Sequence, residues 1–217
     1  MPPRARDVEL RTAAALVFVE DLAAPLLAAD DAHHLGEVLR LKRGETVVAS
    51  DGDGSWMVCA FAVADGPRGR TGGRTGADGR FGLEPTGPLQ ILERPTPALE
   101  VGFSWAKAER TEWAVAKLAE LGVDTITPLV ADRTVVRPDL ESGARREARL
   151  RRIVREAAMQ SRRVFLPRIG AGESLDATLE RLPVSSVALA EPGGVLFHGA
   201  QQAQILQDQR TLPLRRG

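Results

Sequence analysis

The stretch W-A-K-A-E-R-T-E-W-A-V-A-K-L-A-E-L-G-V-D-T-I-T-P-L-V, Trp105–Val130, decides the fold together with R-I-V-R-E-A-A-M-Q-S-R-R-V-F-L-P, Arg152–Pro167. In the first, Glu109 to Leu121 reads as a helix, with Trp113, Ala116, Leu118 and Leu121 broadly on one side. Gly122 supplies its stop, because glycine takes the left-handed conformation that ends helices at little cost. Val123 to Val130 is strand-like, with Pro128 near its end, where a missing N–H matters least. Glu147 to Ser161 reads as a second helix. Leu150, Ile153, Val154, Ala157 and Ala158 point inward, and Arg149, Arg152, Arg155 and Arg163 lie outward or at its end. Leu99 to Trp105 precedes this block as a buried strand, and Val164 to Ile169 follows it. A further helix, Leu175 to Leu182, and a strand, Ser186 to Ala190, come next. Strand and helix alternating in this order predict an α/β domain with a largely parallel sheet.

Upstream the rhythm differs. Leu16 to Val19 is a short strand, and Asp30 to Leu39 a helix capped by Asp30 or Asp31, with Leu35, Val38 and Leu39 on one face. Thr46 to Ala49 and Ser55 to Val63 flank Asp51-Gly52-Asp53-Gly54, a hairpin signal. Short strands around tight turns predict a small β-barrel. Asp65 to Gly82 holds seven glycines and four arginines, too polar to pack, and reads as an exposed hairpin tip. Leu89 to Leu92 is expected to close the barrel. Pro95 and Pro97 place a domain boundary near residues 94–98, giving domains at 1–95 and 96–217.

The formal net charge of the 217 residues is zero, so overall charge makes no case for nucleic acid. The distribution does. From Arg133 to Arg168 eleven arginines face four acids. That local excess is either a phosphate-facing stripe or a solvated, salt-bridged helix face. Cys59 is the single cysteine, which rules out a disulfide framework and fits a reducing compartment. No apolar run approaches a membrane span, and no signal-peptide core follows Met1, so the expected location is cytoplasmic.

Four groupings invite chemistry. His33 and His34 are adjacent and cannot share a helix face, so a metal site is not expected. Glu191-Pro192-Gly193-Gly194 follows a strand and is either a plain turn or a phosphate-meeting loop. Glu112 and Glu120 beside Lys117 are ordinary helix-surface pairs. Gln160-Ser161-Arg162-Arg163 ends a helix with an amide, a hydroxyl and two guanidiniums. These groups suit phosphate or a carbonyl edge, or else the arginines satisfy the last-turn carbonyls of the helix they end.

Three motifs in combination resemble the ribosomal RNA small subunit methyltransferase E family. They are H-H-L-x-x-V-L-R-L-x-x-G-E-x-V (His33 to Val47) followed by D-G-x-G, Lys107 to Arg137, and Arg152 to Pro167. The resemblance covers about residues 15–190. It implies a PUA-like β-barrel joined to a SPOUT-type methyltransferase domain, a rare knotted topology. It also implies a homodimer that transfers a methyl group from S-adenosyl-L-methionine to N3 of a uridine in small-subunit (16S) ribosomal RNA. The partner is then that RNA or the ribosomal subunit. By motif, His33, His34, Arg40, Lys107, Arg152, Arg155, Gln160 and Arg163 are RNA-facing candidates, and Glu120 lies in the central motif. Arg133 and Arg163 are the candidates for active-site contact. From about residue 194 the chain departs from the family pattern, which continues with a G-P-E-G-G loop and an L-R-x-E-T-A segment. The resemblance therefore implies an incomplete knot with the cofactor segment missing or replaced, and a non-catalytic RNA-binding remnant is the alternative expectation.

Overall fold

The computed structural model describes residues 5–64, 74–75, 80–130, 140–182 and 187. Two sheets organise them. The first joins β1 (Ala15–Phe18), β2 (Thr46–Ser50), β3 (Ser55–Val63), β4 (Arg74–Thr75), β5 (Phe81–Pro85) and β6 (Gln90–Ile91). Its path is β1-β2-β3-β5-β4, with β6 also on β3. β1 runs parallel to β2, and the β2–β3 and β3–β5 pairs are antiparallel. The hairpin signal is realised as expected: Asp51 Oδ1 accepts from the backbone N–H groups of Asp53 (2.7 Å) and Ser55 (3.1 Å). Gly52 and Gly54 both adopt positive φ there, which a side chain would resist.

Alternation in β2 and β3 feeds a core of Val17, Leu35, Val47, Ala49, Cys59, Phe61, Phe81 and Leu83. Phe61 and Phe81 stack with ring centroids 5.5 Å apart. Strand β5 corrects the expected reach of the glycine-rich tip. Phe81 and Leu83 are buried, so apolar burial recovers a strand from the end of a segment whose composition reads as loop. Most of that segment, and the strand expected at Ser186 to Ala190, lie outside the described residues. Around the expected barrel-closing segment only β6 is a strand, and Leu89 and Ile91 are exposed.

The helix expected at Asp30 to Leu39 forms in two parts, α2 (Ala29–His33) and a π-helical turn (His34–Val38). The wider turn, closed by Leu39 N–H on His34 O at 2.8 Å, advances the register by one residue. Leu35 therefore stays buried while Val38 and Leu39 turn to solvent, against the expected single face. Gly36 allows the turn to sit directly on the Phe81 ring, where a Cβ would collide. No side chain caps α2; Asp31 has another partner, described below.

The second sheet is parallel. It contains β7 (Glu100–Ser104), β8 (Thr125–Val130), β9 (Arg168–Ile169) and β10 (Glu173–Ser174), with β9 and β10 following each other along one side of β8 and β7 on the other. Helix α3 (Ala108–Leu121) links β7 to β8, and α4 (Leu140–Gln160) packs against α3. Short α1 (Ala5–Thr12) and α5 (Leu175–Arg181) complete the described helices. Gly122 ends α3 at φ 84°, as its position predicts. The inward face of α3 is Thr111, Val115 and Ala119, four residues apart, over Val123, Ile126, Leu150 and Val154. Trp113 and Leu121, expected inward, are 67% and 74% exposed, because the burial stripe is narrower than the apolar stretch that contains it. The inward residues of α4 are those expected.

Cys59 is fully buried, and burial pushes its thiol from 9.0 up to about 11. Its folded value lies above its unfolded one, so the stability it supports is intact below about pH 9 and lost as pH rises toward 11. A thiol-specific reagent at pH 8.5 is expected to leave the native chain unlabelled and to react once it is denatured. Stoichiometric labelling of the native chain within minutes would contradict this.

Candidate nucleic-acid interface

Helix α4 carries the arginine stripe, and the structure divides it by partner. On the solvent side Arg151 and Arg152 are 67% and 78% exposed at the side chain and pair along the helix with Glu147 and Glu156. Such exposed pairs contribute about 0–1 kcal/mol and release their cations readily. Arg149 is equally exposed and reaches across to Glu112 on α3 at 2.7 Å.

The C-terminal end of α4 faces the first sheet instead. Arg155 grips Asp31 through both guanidinium nitrogens, at 2.9 and 2.6 Å, and donates to Phe18 O at 3.0 Å. The carboxylate holds the guanidinium in its charged form more firmly than burial weakens it, so the Arg155 pKa is raised. Arg162, at positive φ, donates to Ala13 O and Ala14 O just before β1. Burial lowers its pKa. The next residues complete the seam. Gly54 N–H donates to Val164 O, and Leu166 N–H to Gly52 O. Arg94 bonds Asp53 and Asp124 and lies over the Phe165 ring. Apolar packing of Trp56, Leu16 and Phe18 against Ala158 and Val164 fills the space between.

Of the sequence candidates, His33 and Arg40 are exposed and His34 is half-buried. Arg40 sits at φ 54° just beyond the π-helical turn. Lys107 is exposed at the N-cap of α3, some way along the chain from that surface. Gln160 is exposed at the end of α4, and Arg152 lies on its outer side. Arg155 is brought into the seam, not onto the outer face where its spacing places it, because Asp31 supplies a buried countercharge. Arg163 donates from Nε to Glu120 O at 2.9 Å, so it satisfies a last-turn carbonyl of α3 and not, as the capping reading expected, one of the helix it follows. Its guanidinium packs where a Cβ on Gly122 would stand. Glu120 pairs with Lys117. Arg133 and the loop Glu191–Gly194 lie outside the described residues.

Sequence reasoning missed Asp31, Arg94 and Arg162 as seam residues. Only the adjacency of two arginines after a helix end hinted at Arg162, and nothing local marks Asp31 or Arg94. Two clefts adjoin these elements. One, of about 690 Å³, lies along the seam between Phe18–Asp31 and the Arg152–Arg155 turn of α4. The other, of about 260 Å³, opens beyond the carboxyl end of β7 between α3 and α4. Ligands of open parallel sheets gather at such carboxyl ends.

A parallel sheet with its helices, joined through an arginine seam to a smaller mixed sheet, defines an α/β protein. The chain matches the family model described as RNA methyltransferase domain over residues 93–210, and the model described as RNA methyltransferase PUA domain over residues 27–68. It belongs to this family of RNA methyltransferases. The first match runs past the point, about residue 194, where the family pattern was expected to lapse. The chain is 31% identical over 176 residues to ribosomal RNA small subunit methyltransferase E of Mycobacterium bovis, covering 78% of this chain and 61% of that protein. It is 24% identical over 164 residues to the Bacillus subtilis protein of the same name, covering 76% and 59%. It thus spans about three fifths of the length of these curated relatives. Among solved structures, it resembles the Neisseria gonorrhoeae ribosomal RNA small subunit methyltransferase E bound to S-adenosyl methionine, with a TM-score of 0.61, 21% identity, and coverage of 79% and 66%. A Legionella pneumophila protein in complex with the same cofactor gives 0.59, 23%, 77% and 66%. These structural likenesses support the fold: a PUA-like domain with a SPOUT-type α/β domain.

Proposed function

We propose that the chain acts as an S-adenosylmethionine-dependent methyltransferase on small-subunit ribosomal RNA, with N3 of a uridine as acceptor. In this reading the chain divides near residues 94–98 into a PUA-like RNA-binding part and a methyltransferase part. The observation that carries it is the double use of α4. Arg155 and Arg162 fix the first sheet against the helix, while Arg151 and Arg152 stay available to meet phosphates on its outer side. Both parts then present RNA with one rigid surface, and orientation of this kind lowers the barrier to a transfer between two bound partners. His33, His34 and Arg40 would extend that surface on the PUA-like side, and Lys107 and Gln160 on the other. Arg163 acts through α3, holding its C-terminal turn in place.

The cleft at the carboxyl end of β7, at about 260 Å³, falls just short of the roughly 300 Å³ at which small-molecule pockets begin. The exposed Trp113 and Leu121 on α3 support a homodimer as the working form.

The test combines calorimetric titration with S-adenosylmethionine, light scattering and binding of a small-subunit rRNA fragment at several salt concentrations. A dimer that binds both ligands is expected. Arg151→Ala with Arg152→Ala should flatten the plot of log affinity against log salt by about 0.7–0.9 for each phosphate that is no longer neutralised. RNA binding without cofactor binding would replace this reading with that of a non-catalytic RNA-binding protein. A chain of single-copy mass would remove the dimer.

A further inference from the structure

The small cleft beyond β7 contains two donors that the fold leaves unused. Trp105 Nε1 and Arg146 Nη1 are both buried, and neither has a hydrogen-bond partner among the described residues. Trp105 and Arg146 both line this cleft, together with Lys107, Thr111, Glu112 and Arg149. A buried donor without an acceptor forfeits its hydration and gains nothing in return, and a charged one forfeits most. Two in one small cleft mark a place shaped for an acceptor from outside.

The surroundings define that acceptor. The cleft adjoins the N-terminus of α3, a 14-residue helix whose N-cap, Lys107, makes no side-chain capping bond. The first amides of such a helix favour negative charge. Glu112 is already engaged by Arg149 at 2.7 Å, and among the described residues no acidic side chain pairs with Arg146 or Lys107. The Thr111 hydroxyl is held by Ala106, exchanging hydrogen bonds with its N–H and C=O at 3.2 Å. The site therefore offers an indole N–H and guanidinium N–H groups, while the Glu112 carboxylate that also lines it is occupied by Arg149. An acceptor-only anion matches this set. The rim formed by Lys107 and Arg149 is exposed, so a group embedded in a polymer can reach it.

We infer that this cleft binds one phosphodiester group of the RNA substrate, seated between the α3 N-terminus, Trp105 and Arg146. The inference rests on the proposed RNA methyltransferase function and deepens it. It places a backbone contact beside the carboxyl edge of the parallel sheet, where it would set the register of the strand relative to that edge. Phosphate contacts of this type position nucleic acid without reading its sequence.

The experiment uses the full chain with Arg146→Gln and, separately, Trp105→Phe, which keeps an aromatic ring but removes the N–H. Each is titrated with a small-subunit rRNA fragment over a range of salt, and with S-adenosylmethionine. Thermal melts verify folding, and Trp105→Phe serves alone if Arg146→Gln fails to fold. In a Trp113→Phe background, inorganic phosphate is also titrated while tryptophan emission is followed. RNA affinity is expected to fall roughly tenfold in each variant, as when a charge-assisted hydrogen bond is removed. In Arg146→Gln the salt slope should shrink by about 0.7–0.9, with cofactor affinity unchanged. Phosphate should alter emission, and the change should vanish with Arg146→Gln. If the parent chain binds RNA and both variants match it in affinity and slope, this site is wrong while the RNA reading stands. Loss of cofactor affinity with intact RNA binding overturns the site in favour of one for the cofactor's carboxylate. A parent chain that binds no RNA refutes the broader reading. In that case a phosphate-dependent emission change still upholds an oxyanion site, and its absence overturns it.

Discussion

Arg155→Ala is expected to destabilise the chain by about 3 to 5 kcal/mol, the loss typical when one partner of a buried ion pair is removed. Asp31 is only 5% exposed, so water cannot replace the guanidinium that bonds both its oxygens. Phe18 O loses its donor as well. For a chain of this size the melting temperature should drop by about 6 to 20 °C, read by calorimetry. Removing the charge from both sides, with Arg155→Met and Asp31→Leu together, should recover most of the loss, because paired desolvation offsets much of what such a pair contributes. A single variant that melts within about 2 °C of the parent, a shift worth at most about 1 kcal/mol, would show that Asp31 is hydrated and that the seam does not depend on this pair.

Gly54→Ala is expected to cost about 2 to 4 kcal/mol through backbone strain and overpacking. Gly54 has φ 104°, and a Cβ there would stand 2.6 Å from Leu92 O and 2.6 Å from the Phe165 ring. Leu92 O cannot withdraw without disturbing the seam, since Leu92 N–H donates to Gly54 O and Gly54 N–H to Val164 O. Chemical denaturation of the variant gives the value directly. Gly44→Ala is the control: φ is 87° but nothing lies within 4 Å of its Cβ, so only the backbone contribution remains. Equal losses at the two positions would show that the close approach at Gly54 carries no weight.

Both predictions concern the same seam, and the seam has a functional consequence. An RNA held by the PUA-like surface and the outer side of α4 is positioned only if those surfaces keep a fixed relation. Arg155, Arg162 and the contacts of Gly52 and Gly54 with Val164 to Leu166 keep that relation. If the proposed function holds, variants there are expected to reduce RNA methylation by misplacing the substrate, with the exposed cations intact.

Much of the architecture was legible in the residues. The helix of Glu109 to Leu121 with its Gly122 stop, the Asp51–Gly54 hairpin and the alternating elements of the second part all follow from local rules, since periodicity, turn residues and caps act over a few neighbours. Where the chain departs from those rules, a distant contact is the cause. Val38 and Leu39 face solvent because Gly36 seats a π-helical turn on Phe81, 45 residues further on by number. Trp113 is exposed because the core over β8 has room for Val115 and Ala119.

The sequence by itself determined the parallel α/β part, the strands around the Asp51–Gly54 hairpin and an arginine-rich helix within the α/β part. Those properties are written in short-range patterns of burial and backbone preference. Only the tertiary structure decided which arginines are free. Spacing puts Arg152 and Arg155 on similar footing, yet the first is solvated and the second is locked to Asp31, 124 residues away by number. Arg163 likewise turns from a site candidate into the cap of α3. Arg146, unremarkable in sequence, becomes a buried donor in need of an acceptor. A charge's role depends on the dielectric and the partners around it, and long-range packing sets both.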